Sequence, residues 1–163
     1  VIERYPDHLK RAYQAKRFIT RESSGFEDNY AITVEEFKRM KEKGQFALSW
    51  HIYGLYYGVP IKVDELLREG RPVLVNVSRT IVNEAREIYK NIKVIFIRVP
   101  FEITVERIKD RGREKGKRLE ERIQRARTHQ NFPGADIIVD NSRELDDAID
   151  ECLTRILDVV KTS

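Results

Sequence analysis

Two groups of residues in this chain have the chemistry to hold an anion. Twelve residues from Leu48 to Val59, L-S-W-H-I-Y-G-L-Y-Y-G-V, gather the only Trp, one of three His and three of the seven Tyr around two glycines. A tyrosine hydroxyl donates a hydrogen bond to an anionic oxygen, and its ring shields that contact from water. Phe46 to Trp50 reads as a short strand, and Gly54 and Gly58 bracket a turn that presents Tyr56 and Tyr57 as a pair. An aromatic hairpin closing a small core is the other reading of the same stretch. The second group is arginine-rich: Arg107, Arg111, Arg113, Arg122 and Arg125, with Gly112 breaking the helical pattern where a hinge belongs. A planar guanidinium meets two phosphate oxygens at once, although a solvated helix face is rich in arginine too.

The elements that must position these groups follow from pattern. Phe18-Ile19 is a short apolar run, and Thr20-Arg21 follows where a strand end opens onto a ligand site. Glu22 to Tyr30 reads as a polar loop. Thr33 and Glu36 form a capping box for a helix that carries Phe37 and Met40 and stops at Gly44. Val63 to Glu69 is a second helix, ended by Gly70, and Pro72 to Val77 is a continuous apolar run suited to a buried strand. Thr80 to Tyr89 is amphipathic, Val94 to Val99 is another strand, and Glu102 to Asp110 is helical. A basic flap from Arg111 to Arg118 comes next, then a helix from Leu119 to Arg127, a strand from Asp136 to Val139 and a closing helix from Ser142 to Val160. Alternating strands and helices predict an α/β fold, a parallel sheet with helices on both sides.

Composition bounds the rest. At 163 residues with 40% hydrophobic content the chain suits one domain, residues 1–163, with a real core. A net charge of +4 and a pI near 9.2 suit anionic partners. No Lys/Arg block is long enough to favour nucleic acid. The single Cys152 makes no internal disulfide and points to a reducing compartment. No stretch approaches a membrane span and the start is no signal peptide, so a cytoplasmic protein is expected, with no membrane partner. Oligomeric state stays open, a homodimer included.

Taken in order, R-F-I-T-R (Arg17 to Arg21), S-W-H, G-L-Y-Y-G-V, V-L-V-N-x-S-R (Val73 to Arg79) and R-G-R-E (Arg111 to Glu114) resemble the ribose 1,5-bisphosphate phosphokinase family, a branch of the guanylate-kinase-like P-loop kinases. The resemblance implies a three-layer P-loop kinase fold with an acceptor-binding region at about 20–60 and a lid at about 107–127. It implies ATP and Mg²⁺ as cofactors and ribose 1,5-bisphosphate as acceptor, with 5-phosphoribosyl diphosphate and ADP as products. Thr20, Arg21, Tyr57 and Gly58 match the acceptor-phosphate grip of guanylate kinases, with Tyr30 and Tyr56 as further candidates. Ser24 stands where that grip has a second arginine. Asn76 stands where guanylate kinases carry a base-reading aspartate, and with Ser78 it either binds acceptor or caps the next helix. Arg107, Arg111 and Arg122 match lid arginines that reach the transferred phosphate, with Arg113 and Arg125 beside them. Asp140 and Asn141 resemble a turn near adenine, or an ordinary helix cap. His51 is read as a hydrogen-bonded structural residue, since transfer to an ionised phosphate needs no general base. No carboxylate stands out as a metal ligand.

A P-loop, G-x-x-x-x-G-K-[ST], does not occur here. Glu3 to Asp7 resembles the end of the helix that follows it, so about twenty-odd residues are expected ahead of Val1 in the whole protein. In this family that segment includes a strand between those at Val73–Asn76 and Val94–Arg98. Without it, unpaired backbone groups would cost on the order of 1–3 kcal/mol each, and poor folding of these residues alone is expected. The alternatives are a guanylate or other nucleoside monophosphate kinase, and a degenerate guanylate-kinase-like module that binds without catalysing.

Overall fold

Capping residues and glycines set the boundaries that pattern suggests. At the start of α1 (Val34–Glu42) the Glu36 N–H donates to Thr33 Oγ1 at 3.1 Å and the Thr33 N–H donates to Glu36 Oε2 at 2.8 Å. Gly44 then turns the chain out at φ 64°, a conformation open to a residue without Cβ. The computed structural model describes residues 1–9, 11–21, 28–110, 112 and 116–162. These fall into two units, Ile2–Ile92 and Lys93–Ser163 with Val1. Among sequence-predicted features, Ser24 with most of the loop before Tyr30, and Arg111 and Arg113, lie outside the described residues.

In the first unit, β1 (Tyr13–Gln14) pairs in parallel with β6 (Val73–Leu74). A four-stranded sheet has the order β3-β2-β5-β4, formed by β2 (Phe18–Ile19), β3 (Tyr30–Ala31), β4 (Phe46–Ile52) and β5 (Leu55–Pro60). β4 and β5 are antiparallel and joined by Tyr53 and Gly54, whose φ values of 57° and 77° fit a two-residue hairpin turn. Trp50 lies opposite Tyr57 and His51 opposite Tyr56, while β2 sets Ile19 beside Tyr57 and Phe18 beside Gly58.

Because side chains alternate along a strand, this sheet has two different faces. On one, Leu48, Trp50 and Val59 join Ala15, Val63, Ile81 and Ala85 in the core cluster, with Tyr57 packed against it. On the other, Phe37 of α1, only 2% exposed, stacks on Phe46 at 4.8 Å, and Phe46 meets Phe18 at 5.7 Å. Burying each such side chain contributes roughly 1.5–3 kcal/mol. α2 (Lys62–Arg68) and α3 (Val82–Ile88) are tied by the Tyr89 hydroxyl, which donates to Asp64 Oδ1 at 2.5 Å. Burial and that carboxylate push the Tyr89 phenol up.

In the second unit, β7 (Ile95–Arg98) and β8 (Ile137–Asp140) pair in parallel. α4 (Phe101–Asp110) packs on α5 (Lys117–Thr128), and α6 (Leu145–Thr162) on β8, with Val139 fully buried. The pairing is pinned at both ends. Asp136 Oδ2 accepts from the Val94 N–H at 2.7 Å, and Asp140 Oδ2 accepts from Arg98 Nη2 at 3.0 Å.

The fold is α/β with parallel pairings, and several local expectations change. Tyr56 and Tyr57 are not a pair presented by a turn: they are consecutive in β5 and face opposite ways. Gly58 is no turn residue either; it is buried in β5, where an added Cβ would meet the Phe46 ring at 2.5 Å. Tyr30 belongs to edge strand β3 rather than to a loop. The run from Pro72 to Val77 is strand only at Val73–Leu74, because its ladder lasts only as long as the two-residue β1, while Val75 and Val77 still pack on the core. The helix after it opens with a 3₁₀ turn, Arg79–Ile81. His51 is exposed and packs its ring on Tyr56 at 4.4 Å.

Gly58→Ala should lower stability by about 1–3 kcal/mol through overpacking against Phe46, and Phe46→Leu in the same chain should restore part of the loss. Thermal melting checks both; an unchanged midpoint in Gly58→Ala would contradict this packing. The Ser142 hydroxyl and Arg98 hold the Asp140 carboxyl down to about 2, from an ordinary 3.8. Asp140 therefore stabilises the β8 end fully above pH 3.8, and this contribution is lost as pH falls through about 2. A carboxyl NMR titration should find that midpoint, raised in Ser142→Ala and in Arg98→Met.

Candidate functional site

The acceptor-side residues are brought together by backbone pairing. The Thr20 N–H donates to the Tyr56 carbonyl at 3.1 Å, and the Tyr56 N–H donates to Thr20 Oγ1 at 2.9 Å. This zips the end of β2 onto β5. Thr20 accepts in the second bond, so its hydroxyl proton remains available to another acceptor. β2 sets Ile19 beside Tyr57 and Phe18 beside Gly58, with the Arg17 guanidinium reaching the Tyr57 ring and the chain bending at Thr20 and Arg21.

The two sides differ in chemistry. Tyr57 stacks on Trp50 with ring centres 5.2 Å apart and planes 2° from parallel, and the Arg17 guanidinium lies 5.8 Å from the Tyr57 ring centre. Tyr56 instead contacts Phe37 at 5.2 Å. Tyr30, 46% exposed, packs on Phe18 at 4.8 Å and carries the Lys16 ammonium 4.6 Å above its ring. Lys16 also pairs with Asp28, whose hydrogen bond holds the ammonium pKa up. The structure thus joins Arg17, not Arg21, to Tyr57, leaves Arg21 in the bend that follows β2, and turns Tyr30 and Tyr56 to the other face. Gly58 makes room for Phe46. Asn76 is exposed past β6, while Ser78 is used as a cap: its Oγ accepts from the Thr80 hydroxyl at 3.0 Å and from the Thr80 N–H at 3.4 Å.

Arg17 is a residue that sequence reasoning passed over as a site. Its signal was its place directly before the short apolar run Phe18-Ile19. Arg79 is another: half-buried at the head of the 3₁₀ turn, its guanidinium has a pKa lowered by burial.

The second unit holds the other group. Arg107 is in the last turn of α4, and Arg122 and Arg125 are one turn apart on α5, all half-buried. Arg127 places its guanidinium 5.1 Å from the Phe101 ring centre, fastening α5 to α4. Arg125 shares a shallow groove with Lys117, Glu120, Glu121 and Gln124, so its charge stands among carboxylates. At the carboxyl ends of β7 and β8, Asp140 is committed to structure, with Oδ1 accepting from the Ser142 N–H at 2.8 Å beside the Arg98 bond. Asn141 donates its N–H to the Arg98 carbonyl at 2.8 Å. Its side-chain oxygen is enclosed and has no hydrogen-bond partner among the described residues. Among the described residues no group of three or more His, Cys, Asp or Glu is arranged for a metal ion, and no helix is long and apolar enough to cross a membrane.

The sequence model of the guanylate kinase family matches residues 9–160. The ribose 1,5-bisphosphate phosphokinase PhnN of Rhodopseudomonas palustris is 39% identical over 112 residues, covering 69% of this chain and 58% of that protein. The protein of the same name from Pseudofrankia inefficax is 35% identical over 150 residues, covering 90% of this chain and 77% of its own length. The match thus spans less than two thirds of the first relative and more of the second. A crystal structure of guanylate kinase from Anaplasma phagocytophilum has the same fold at TM-score 0.66 and 23% identity, covering 93% of this chain and 75% of that one. With its hairpin, its parallel strand pairs and nearly its whole length accounted for, the chain belongs to the guanylate kinase family.

Proposed function

We propose that the whole protein is an ATP-dependent kinase that phosphorylates ribose 1,5-bisphosphate to 5-phosphoribosyl diphosphate. The observation that carries this reading is the asymmetry of the β2–β5–β4 ribbon. One side carries the core residues Leu48, Trp50 and Val59 with Tyr57 packed against them and the buried Arg17 over the Tyr57 ring, while the other is filled by Phe18, Phe37 and Phe46. A tyrosine hydroxyl beside a guanidinium, at the margin of that core face and next to the strand end that leads to Arg21, suits phosphate oxygens. The absence of a carboxylate at Asn76, together with relatives named as ribose 1,5-bisphosphate phosphokinases, favours a sugar phosphate over GMP.

An ionised acceptor phosphate is already nucleophilic, so the residues here act by binding, orientation and charge. Arg21 and the Tyr57 hydroxyl hold the acceptor phosphate, and the free proton of the Thr20 hydroxyl adds a third donor. Arg107, Arg122 and Arg125, with Arg111 and Arg113, supply positive charge for the transferred group. ATP, when bound, supplies that phosphoryl group. The described residues offer no matching carboxylate set for Mg²⁺, and no step is assigned to it.

In the full-length protein, kcat/KM for ribose 1,5-bisphosphate should exceed that for GMP by at least about a hundredfold, as expected where a site lacks the polar groups that read one substrate. Arg21→Ala should raise the KM for the sugar bisphosphate by about tenfold or more, the size of a lost charge-assisted bond. A preference for GMP would overturn the acceptor assignment. Unchanged kinetics in Arg21→Ala would overturn the site.

A further inference from the structure

Among the described residues one charged side chain is buried: Arg17, 9% exposed. A buried guanidinium is expensive, and an apolar side chain of similar length would serve packing as well or better. One of its contacts is the ring of Tyr57. β5 lies between β2 and β4, so Trp50 reaches the Tyr57 ring from one flank and Arg17 from the other. The ring is therefore held between an indole, 5.2 Å away and parallel to within 2°, and a guanidinium at 5.8 Å, within cation–π range. The base of the Arg17 side chain is itself fixed, because its carbonyl accepts the Tyr30 N–H at 2.8 Å.

From this arrangement we infer that Arg17 is a positioning residue for the acceptor phosphate, acting through Tyr57. Its charge against the ring fixes the direction of the phenol and draws electron density from it. The Tyr57 hydroxyl becomes a better aimed and stronger donor to an anionic oxygen. This rests on the acceptor-site reading above, and it extends that site to a residue that need not touch substrate.

A double-mutant cycle in the full-length protein tests it, with Arg17→Lys, Arg17→Met, Tyr57→Phe and Arg17→Lys/Tyr57→Phe. Trp50 is the only tryptophan, so its fluorescence reports titration with ribose 1,5-bisphosphate, and steady-state assays separate KM from kcat. Arg17→Met should raise Kd and KM for the acceptor about tenfold, the reach of a desolvated cation–π contact, and Arg17→Lys, which keeps the charge on a different head group, by less, with kcat changed less than about twofold in both. Adding Arg17→Lys to Tyr57→Phe should raise them no further, since the hydroxyl through which Arg17 acts is already gone. Wild-type affinity in Arg17→Met, or losses that multiply in the double variant, would overturn the inference. If GMP binds and ribose 1,5-bisphosphate does not, the sugar-phosphate reading falls, and the same cycle run with GMP decides the role of Arg17. A wild-type protein that binds neither ligand overturns both.

Discussion

The register of the β4–β5 hairpin is the constraint on which the acceptor side depends. Tyr53 and Gly54 close it in two residues at positive φ, which sets Trp50 against Tyr57 and His51 against Tyr56. Tyr53 adopts this backbone at a cost that glycine would not bear, because its Cβ crowds the chain there. A slip of one residue would exchange the two tyrosines between faces. The aromatic packing resists such a slip: Phe46 covers Gly58, and no other residue type fits beneath that ring. Register, packing and the placement of a phenol beside Arg17 are thus one decision made by the same few residues.

The two faces divide the labour. Phe18, Phe37 and Phe46 anchor α1 to the sheet through apolar contact alone, which gives the ribbon rigidity without polar demands. The opposite face accepts the cost of a buried guanidinium. A site for anions needs donors fixed before the ligand arrives, and such fixing comes from neighbours that are themselves packed. Under the proposed acceptor role Trp50 and Arg17 would do this for Tyr57, while the paired bonds between Thr20 and Tyr56 hold the chain just before Arg21.

Much of this was legible in sequence where the determinants are local. The Thr33–Glu36 box, the stops at Gly44 and Gly70, the hairpin, the strands around Ile95 and Ile137 and the long last helix all rest on residues within a turn or two of one another. Gly58 was misread because its reason is non-local: a glycine after Tyr-Tyr looks like a turn, and only the Phe46 ring reveals it as a strand residue. The divergence of Tyr56 and Tyr57 follows from that one error. β1 and β3 have two residues each, too few for a period-two pattern to register. Arg17 was quoted within a motif, yet a sequence does not display burial, and burial is what sets this arginine apart. Ser78 caps the 3₁₀ turn, one of the two roles its position offered.

The most direct measurement is the acceptor KM of Tyr57→Phe beside that of Tyr56→Phe. Each removes one hydroxyl from adjacent positions of the same strand and leaves the ring. If the hairpin register directs only Tyr57 toward the Arg17 face, Tyr57→Phe should raise KM about tenfold and Tyr56→Phe less than about twofold. Equal losses, or a larger loss in Tyr56→Phe, would contradict the account.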